Sequence, residues 1–167
     1  DTGDIFLQKK IKIHDSDDFG SLSEKLSWIG ADLIIATLEL LEKGKIEPIR
    51  QNEDLVKRAP KISKDMAEIN WNWPASKIHN WVRGLSPNLG MSSTWNGKRL
   101  RLFKTSVIDR VGNGIPGTVQ KRFKNELIIS TGEGCLSIIE IQQDGKRRLP
   151  IAEFLRGHSI SDGDSFI

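Results

Sequence analysis

Glycine turns recur through the second half of the chain and cut it into runs of strand length. Asn96-Gly97, Pro116-Gly117, Gly132-Glu133-Gly134 and Asp144-Gly145 separate short stretches rich in Val, Ile, Leu and Phe, within MSSTWNGKRLRLFKTSVI, GIPGTVQKRF, NELIISTGEGCLSIIEIQ and GKRRLPIAEFL. Five or so short strands with such turns in about 100 residues predict a small closed barrel, the arrangement that leaves no sheet edge unpaired. Ahead of them, Pro74 to Arg83 suits a short helix: Ile78 and Val82 stand four apart, and proline is tolerated in a first turn. There is no internal repeat, heptad or low-complexity tract.

The first half reads differently. It opens DTGDIFLQKKIKI, a tight turn followed by an alternating strand in which Ile5, Leu7, Lys9, Ile11 and Ile13 share one side. Ser21-x-x-Glu24 has the form of a capping box, and Leu22, Leu26, Ile29, Leu33, Ala36 and Leu40 follow at helical spacing, giving a helix of about six turns that Gly44 can end. A turn so tight at residue 1 reads as the second half of a unit whose first half precedes it. The next stretch, KIEPIRQNEDLVKRAPKISKDM, is polar, contains Pro48 and Pro60 and has no sustained period, so it is expected to run as a linker over a surface.

Charge separates the halves. Residues 1–70 carry 11 Lys and Arg against 14 Asp and Glu; residues 71–167 carry 14 against 8. The basic second half points either to a polyanionic partner, most often nucleic acid, or to an ordinary solvated surface, and charge alone does not choose between them. Lys98, Arg99, Arg101 and Lys104 alternate with Leu100 and Leu102, which places Arg99 and Arg101 on the outer face of a strand whose leucines point inward. Lys121, Arg122 and Lys124 follow on the next strand, and Lys146, Arg147 and Arg148 occupy a turn. The three histidines, His14, His79 and His158, lie far apart and have no zinc spacing, so no metal site is expected. VGNGIPG and TGEG join strands instead of opening helices and are not phosphate loops. The five tryptophans read as core and junction residues before base-stacking platforms. No apolar run approaches the roughly 20 residues that cross a bilayer, and no signal peptide is visible. The single Cys135 fits a reducing compartment.

With DTGD entering a strand, LLEKGKIEPIRQNED ending a helix, then APKISKDMAEINW, SVID, GIPGTV and ISTGEGCLSIIEIQ in that order, the chain resembles the carboxyl-terminal portion of the methionyl-tRNA formyltransferase family. The resemblance implies an α+β chain with the edge of a Rossmann-like α/β formyltransferase domain over residues 1–45, a linker over 46–65, and an OB-like, tRNA-binding β-barrel over 66–167. It implies transfer of a formyl group from 10-formyltetrahydrofolate to the amino group of methionyl initiator tRNA, for translation initiation. The family's reaction uses an asparagine, a histidine and the first aspartate of the DTGD turn. Asp1 is that aspartate by motif; the other two and most of the folate pocket would lie upstream, so this portion is expected to be inactive alone. The carboxylate would orient and charge-stabilise the histidine while a tetrahedral oxyanion forms and the attacking amine loses a proton.

Linker lysines matching Lys61 and Lys64 lie near the tRNA acceptor end in the family, and the barrel's basic clusters are expected to track phosphates by shape and backbone. A cytoplasmic monomer with no membrane association follows, with an organelle matrix left open. One departure is local: of an R-x-x-x-P-W-P-G pattern, Arg83, Pro87 and Gly90 match while Asn88 and Leu89 replace the aromatic and the second proline. Amino-sugar formyltransferases and formyltetrahydrofolate hydrolases share both domains and are the alternatives, together with a non-catalytic RNA-binding barrel.

Overall fold

The computed structural model describes residues 3–108, 114–123 and 125–167, apart from the side chains of 121–123. It divides into two compact units, Asp1–Ile62 and Ser63–Ile167.

In the first unit a 24-residue helix, α1 (Phe19–Glu42), is capped by Asp18 and not by Ser21. The Asp18 carboxylate accepts from the Ser21 backbone N–H at 2.8 Å, and the Ser21 hydroxyl accepts from the Asp18 N–H at 3.1 Å. The reciprocal box therefore sits three residues earlier than the Ser21-x-x-Glu24 pattern places it, because aspartate caps as well as serine and serine can fill the third position. Gly44, at φ +63°, ends the helix with bonds from Gly44 N–H to the Leu41 carbonyl and from Lys45 N–H to that of Leu40. None of the helix residues is buried. The alternating segment before it is not a regular strand. Among the described residues its one bridge joins Ile5 to Ile49, with N–H···O bonds of 2.8 Å both ways. Alternation gives a strand two faces, but a strand also needs a neighbour along its length.

The second unit is an antiparallel sheet in the order β1-β2-β5-β4-β3, with β6 also on β5. The strands are β1 (Met91–Trp95), β2 (Lys98–Ile108), β3 (Val119–Phe123), β4 (Glu126–Ser130), β5 (Cys135–Gln143) and β6 (Arg148–Pro150). Helix α2 (Ala75–Leu85) precedes the sheet and α3 (Ile151–Arg156) follows it. Asn96 and Gly97, both at positive φ, make the two-residue β1–β2 turn that the dipeptide predicts. Leu100, Leu102, Leu127, Ile129, Leu136 and Ile138 fill the inner face, and Ile78 and Val82 of α2 reach the same core. In the β4–β5 hairpin Gly132 lies against the chain at Asn72, where a Cβ would come within 1.9 Å of the carbonyl oxygen; only glycine fits.

The C-terminal segment, polar enough in sequence to be expected mobile, is ordered and structural. Thr94 and Ile167 exchange backbone bonds of 2.6 and 2.9 Å, Val119 N–H donates to Asp164 O at 2.8 Å, and Phe166 N–H to Gly117 O at 2.8 Å. One segment thus bridges both edge strands of the sheet, β1 and β3. Ile160 and Phe166 are buried, and the Trp95 indole N–H donates to the Asp164 carboxylate at 3.0 Å.

Candidate nucleic-acid interface

The outer face of β2 starts from the alternation in its sequence. Leu100 and Leu102 are wholly buried while Lys98, Arg99 and Lys104 are exposed and Arg101 is half-buried. A register break between Leu102 and Thr105 interrupts the alternation, so that Phe103 is buried beside Leu102. The Arg148 guanidinium covers that ring at 3.4 Å and donates to the Pro87 carbonyl at 2.6 Å.

Both β2 arginines are ion-paired. Arg99 Nη2 meets the Glu68 carboxylate and donates to Ser92 Oγ at 3.1 Å. Glu68 is positioned by backbone pairing with Ser92, whose carbonyl accepts from Ile69 N–H at 2.9 Å; a short 3₁₀ turn (Lys64–Ala67) leads into it. On the other side, Arg101 Nη2 lies 2.9 Å from Asp144 Oδ1, and Asp144 N–H donates to the Arg99 carbonyl at 3.1 Å. Asp144 opens the β5–β6 turn, which carries Lys146 and Arg147; Arg148, expected in the same turn, is the first residue of β6, and Arg147 pairs with Glu153 of α3 at 3.5 Å.

The structure therefore brings together the Lys98–Lys104 and Lys146–Arg148 clusters, with Lys64 on the segment that Arg99 meets. It does not bring in β3, at the far edge of the sheet beyond β5 and β4. Lys121 and Arg122 stand on β3 in register with Ile128 and Leu127. Lys124 and Asp1 lie outside the described residues. Lys61 is exposed in the first unit. Sequence reasoning missed Glu68, Asp144 and Glu153; the only local signal was an acidic residue within five positions of a basic cluster or lysine, which is common on any surface.

The sequence model of the formyl transferase C-terminal domain family matches residues 61–159. This chain belongs to that family. The formyl transferase C-terminal domain match takes in α2, all six strands and α3, and stops just before the segment that bridges the sheet edges. A methionyl-tRNA formyltransferase of Caldanaerobacter subterraneus is 42% identical over 163 residues, 98% of this chain and 52% of the relative. That of Thermodesulfovibrio yellowstonii is 46% identical over 167 residues, 99% of this chain and 53% of the relative. The chain spans about half the length of the curated relatives it matches. Among solved structures, a variant of HypX from Aquifex aeolicus superposes with TM-score 0.68 at 22% identity, covering 93% of this chain and 28% of HypX. An N-formyltransferase from Helicobacter canadensis, in complex with folinic acid and dTDP-3-aminofucose, gives 0.64 at 20%, covering 85% and 51%. The fold is that of the formyltransferases.

Most of the remaining candidates pack within the fold, Trp28 excepted. His79 Nδ1 meets Thr105 Oγ1 at 3.0 Å, joining α2 to β2, and Cys135 is buried. Trp71 and Trp95 are buried, Trp73 and Trp81 are stacked and half-buried, and Trp28 on α1 is 71% exposed. Leu89, in place of the proline of the family pattern, packs against the core, and Gly90 at φ +65° lies tight against Phe103. Among the described residues no helix is long and apolar enough to cross a membrane, and no group of three or more His, Cys, Asp or Glu is arranged to hold a metal ion. In the first unit Ile5, Phe6 and Leu7 face Leu33, Ile34, Thr37 and Leu38 of α1 across an open cleft of about 330 Å³. Its walls are apolar and the Thr37 hydroxyl already donates to the Leu33 carbonyl at 2.6 Å, so these residues alone do not fit a folate.

Proposed function

We propose that this chain is the carboxyl-terminal portion of a methionyl-tRNA formyltransferase of a bacterial cytoplasm. In this reading it consists of the end of a Rossmann-like formyltransferase domain (1–45), a linker (46–65) and an OB-like barrel (66–167) that holds methionyl initiator tRNA. The observation that carries the reading is alignment over nearly the whole chain, at 42% and 46% identity, with enzymes of that name. Two features of the molecule agree with it. Helix α1 leaves Phe19, Leu26, Trp28, Ile34, Ile35 and Leu38 exposed, as a helix does whose packing partner is the rest of a domain. The second unit carries seven of its lysines and arginines, Lys98, Arg99, Arg101, Lys104, Lys146, Arg147 and Arg148, on β2 and the adjoining β5–β6 connection, where they could track phosphates.

The formyl donor of this reading is 10-formyltetrahydrofolate, which supplies an activated one-carbon acyl group. The described residues do not fit a folate by themselves, and its binding belongs to the rest of the formyltransferase domain. The part left to this chain is to hold the tRNA body and, through Asp1, to place a carboxylate at the reacting centre.

The deciding experiment gives the full-length protein methionyl initiator tRNA and, separately, an amino-sugar nucleotide, each with 10-formyltetrahydrofolate. Formylation of the tRNA and not of the sugar is expected. Formylation of the sugar alone would assign the protein to the amino-sugar enzymes, and neither product would leave an RNA-binding barrel without catalysis.

A further inference from the structure

The geometry points to a division of labour on the face built by β2 and the β5–β6 turn: lysines contact RNA phosphates, while Arg99 and Arg101 are positioning residues that hold two lysine-bearing segments against β2. This rests on the reading that the second unit holds tRNA. Arginine, with its planar fork of donors, is ordinarily the stronger phosphate ligand. Here each arginine of the face already has a partner within the chain. Arg99 bonds Glu68 and Ser92, Arg101 bonds Asp144, Arg147 bonds Glu153, and Arg148 bonds the Pro87 carbonyl and covers Phe103. Lys64, Lys98 and Lys146 form no ion pair among the described residues, and Lys98 lies 6.0 Å from the centre of the Trp95 ring.

Charge accounting separates the two kinds of cation. An arginine and its carboxylate sum to zero, and a phosphate that displaces the carboxylate leaves an unpaired negative charge beside it. Such a pair adds little to the release of counterions that drives association. An unpaired lysine contributes its whole charge. The carboxylates also stand where position counts. Glu68 follows the turn that starts at Lys64, and Asp144 comes two residues before Lys146, so each β2 arginine adds a side-chain tie, beside the backbone bonds, to a segment that carries one lysine. Pairs as exposed as these stabilise folding by only about 0–1 kcal/mol each. They can be removed without unfolding the sheet.

The test measures affinity of the 167-residue chain for initiator tRNA between about 50 and about 200 mM salt, where binding of this type changes steeply. Two double variants are compared, Lys98→Gln with Lys146→Gln and Arg99→Gln with Arg101→Gln. Each removes two positive charges, so long-range attraction falls equally in both. The lysine variant is expected to reduce the slope of log affinity against log salt by about 1.4–1.8, the value for two phosphates, and the arginine variant by less than half as much. An equal or larger loss from the arginine variant overturns the inference. If that variant loses its native circular dichroism, Glu68→Gln with Asp144→Asn takes its place. Releasing the arginines then steepens the slope; an unchanged slope means they already lie on phosphates and overturns the inference. A wild-type slope near zero rejects the tRNA reading itself, an outcome visible before any variant is made.

Discussion

Asp17, buried at the head of α1, accepts from Lys25 Nζ, from the His14 backbone N–H at 2.8 Å and from the Ser21 hydroxyl at 3.4 Å. The Lys25 ammonium, and after it the His14 N–H, hold its carboxyl below the usual carboxylate range. A carboxyl whose native pKa is depressed stabilises the fold above its unfolded value near 3.9, and that contribution is lost as pH falls through the lower native value. Lys25→Gln is therefore expected to move the Asp17 titration, followed by NMR at the carboxyl carbon, upward toward the ordinary value. An unmoved midpoint would mean that the backbone bond alone sets it. At this scale the sequence was legible where chemistry is local. Asn96-Gly97 named its own turn, and the Leu100–Leu102 alternation assigned the faces of β2. It was less legible where one side chain can stand in for another, as Asp18 stands in for Ser21 at the cap, or where a partner is remote, as Glu68 is for Arg99.

The C-terminal segment shows why an element can be missed. SISDGDSF is mostly polar, and composition describes the side chains facing water. It is silent about the buried Ile160 and Phe166, and the neighbours of Phe166, namely Gly117, Trp95 and Trp71, stand far earlier in the chain. Phe166 lies edge-on to Trp71 at 6.3 Å and stacked on Trp95 at 6.5 Å, beneath backbone bonds that tie Thr94 on one sheet edge and Val119 on the other. Phe166→Ala should cost about 3–5 kcal/mol of unfolding free energy in denaturant, the usual range for emptying a buried aromatic site. The amides of Thr94 and Val119, which donate to Ile167 and Asp164, should lose hydrogen-exchange protection together. A loss below about 1 kcal/mol, or protection surviving at both edges, would make the segment an appendage and not a bridge. The converse miss is residues 5–13. Apolar and polar residues alternate there, but a strand is a property of two paired segments, and among the described residues the pairing is a single bridge of Ile5 to Ile49.

At the scale of the molecule, the proposed function separates holding the RNA from acting on it. The cations that would hold it are on the second unit. The carboxylate that would act on the reacting centre is Asp1, at the head of the first. Binding energy from parts of a substrate remote from the reaction can position it, but it accelerates the chemical step only through groups that meet the transition state. The 167-residue chain is therefore expected to bind initiator tRNA and form no formyl-methionyl product, since the asparagine, the histidine and most of the folate site of the proposed mechanism are not among its residues. In the full-length enzyme Asp1→Ala should lower turnover by about 10²–10⁴, the range for a group that assists proton transfer. Affinity for methionyl-tRNA should stay within a factor of two or so, because a group that works only in the transition state leaves ground-state binding unchanged. Equal losses of turnover and affinity would make Asp1 a residue that shapes the chain and does no chemistry. A fall in turnover with binding preserved would leave the two tasks on different residues, with catalysis at Asp1 and grip on the β2 face.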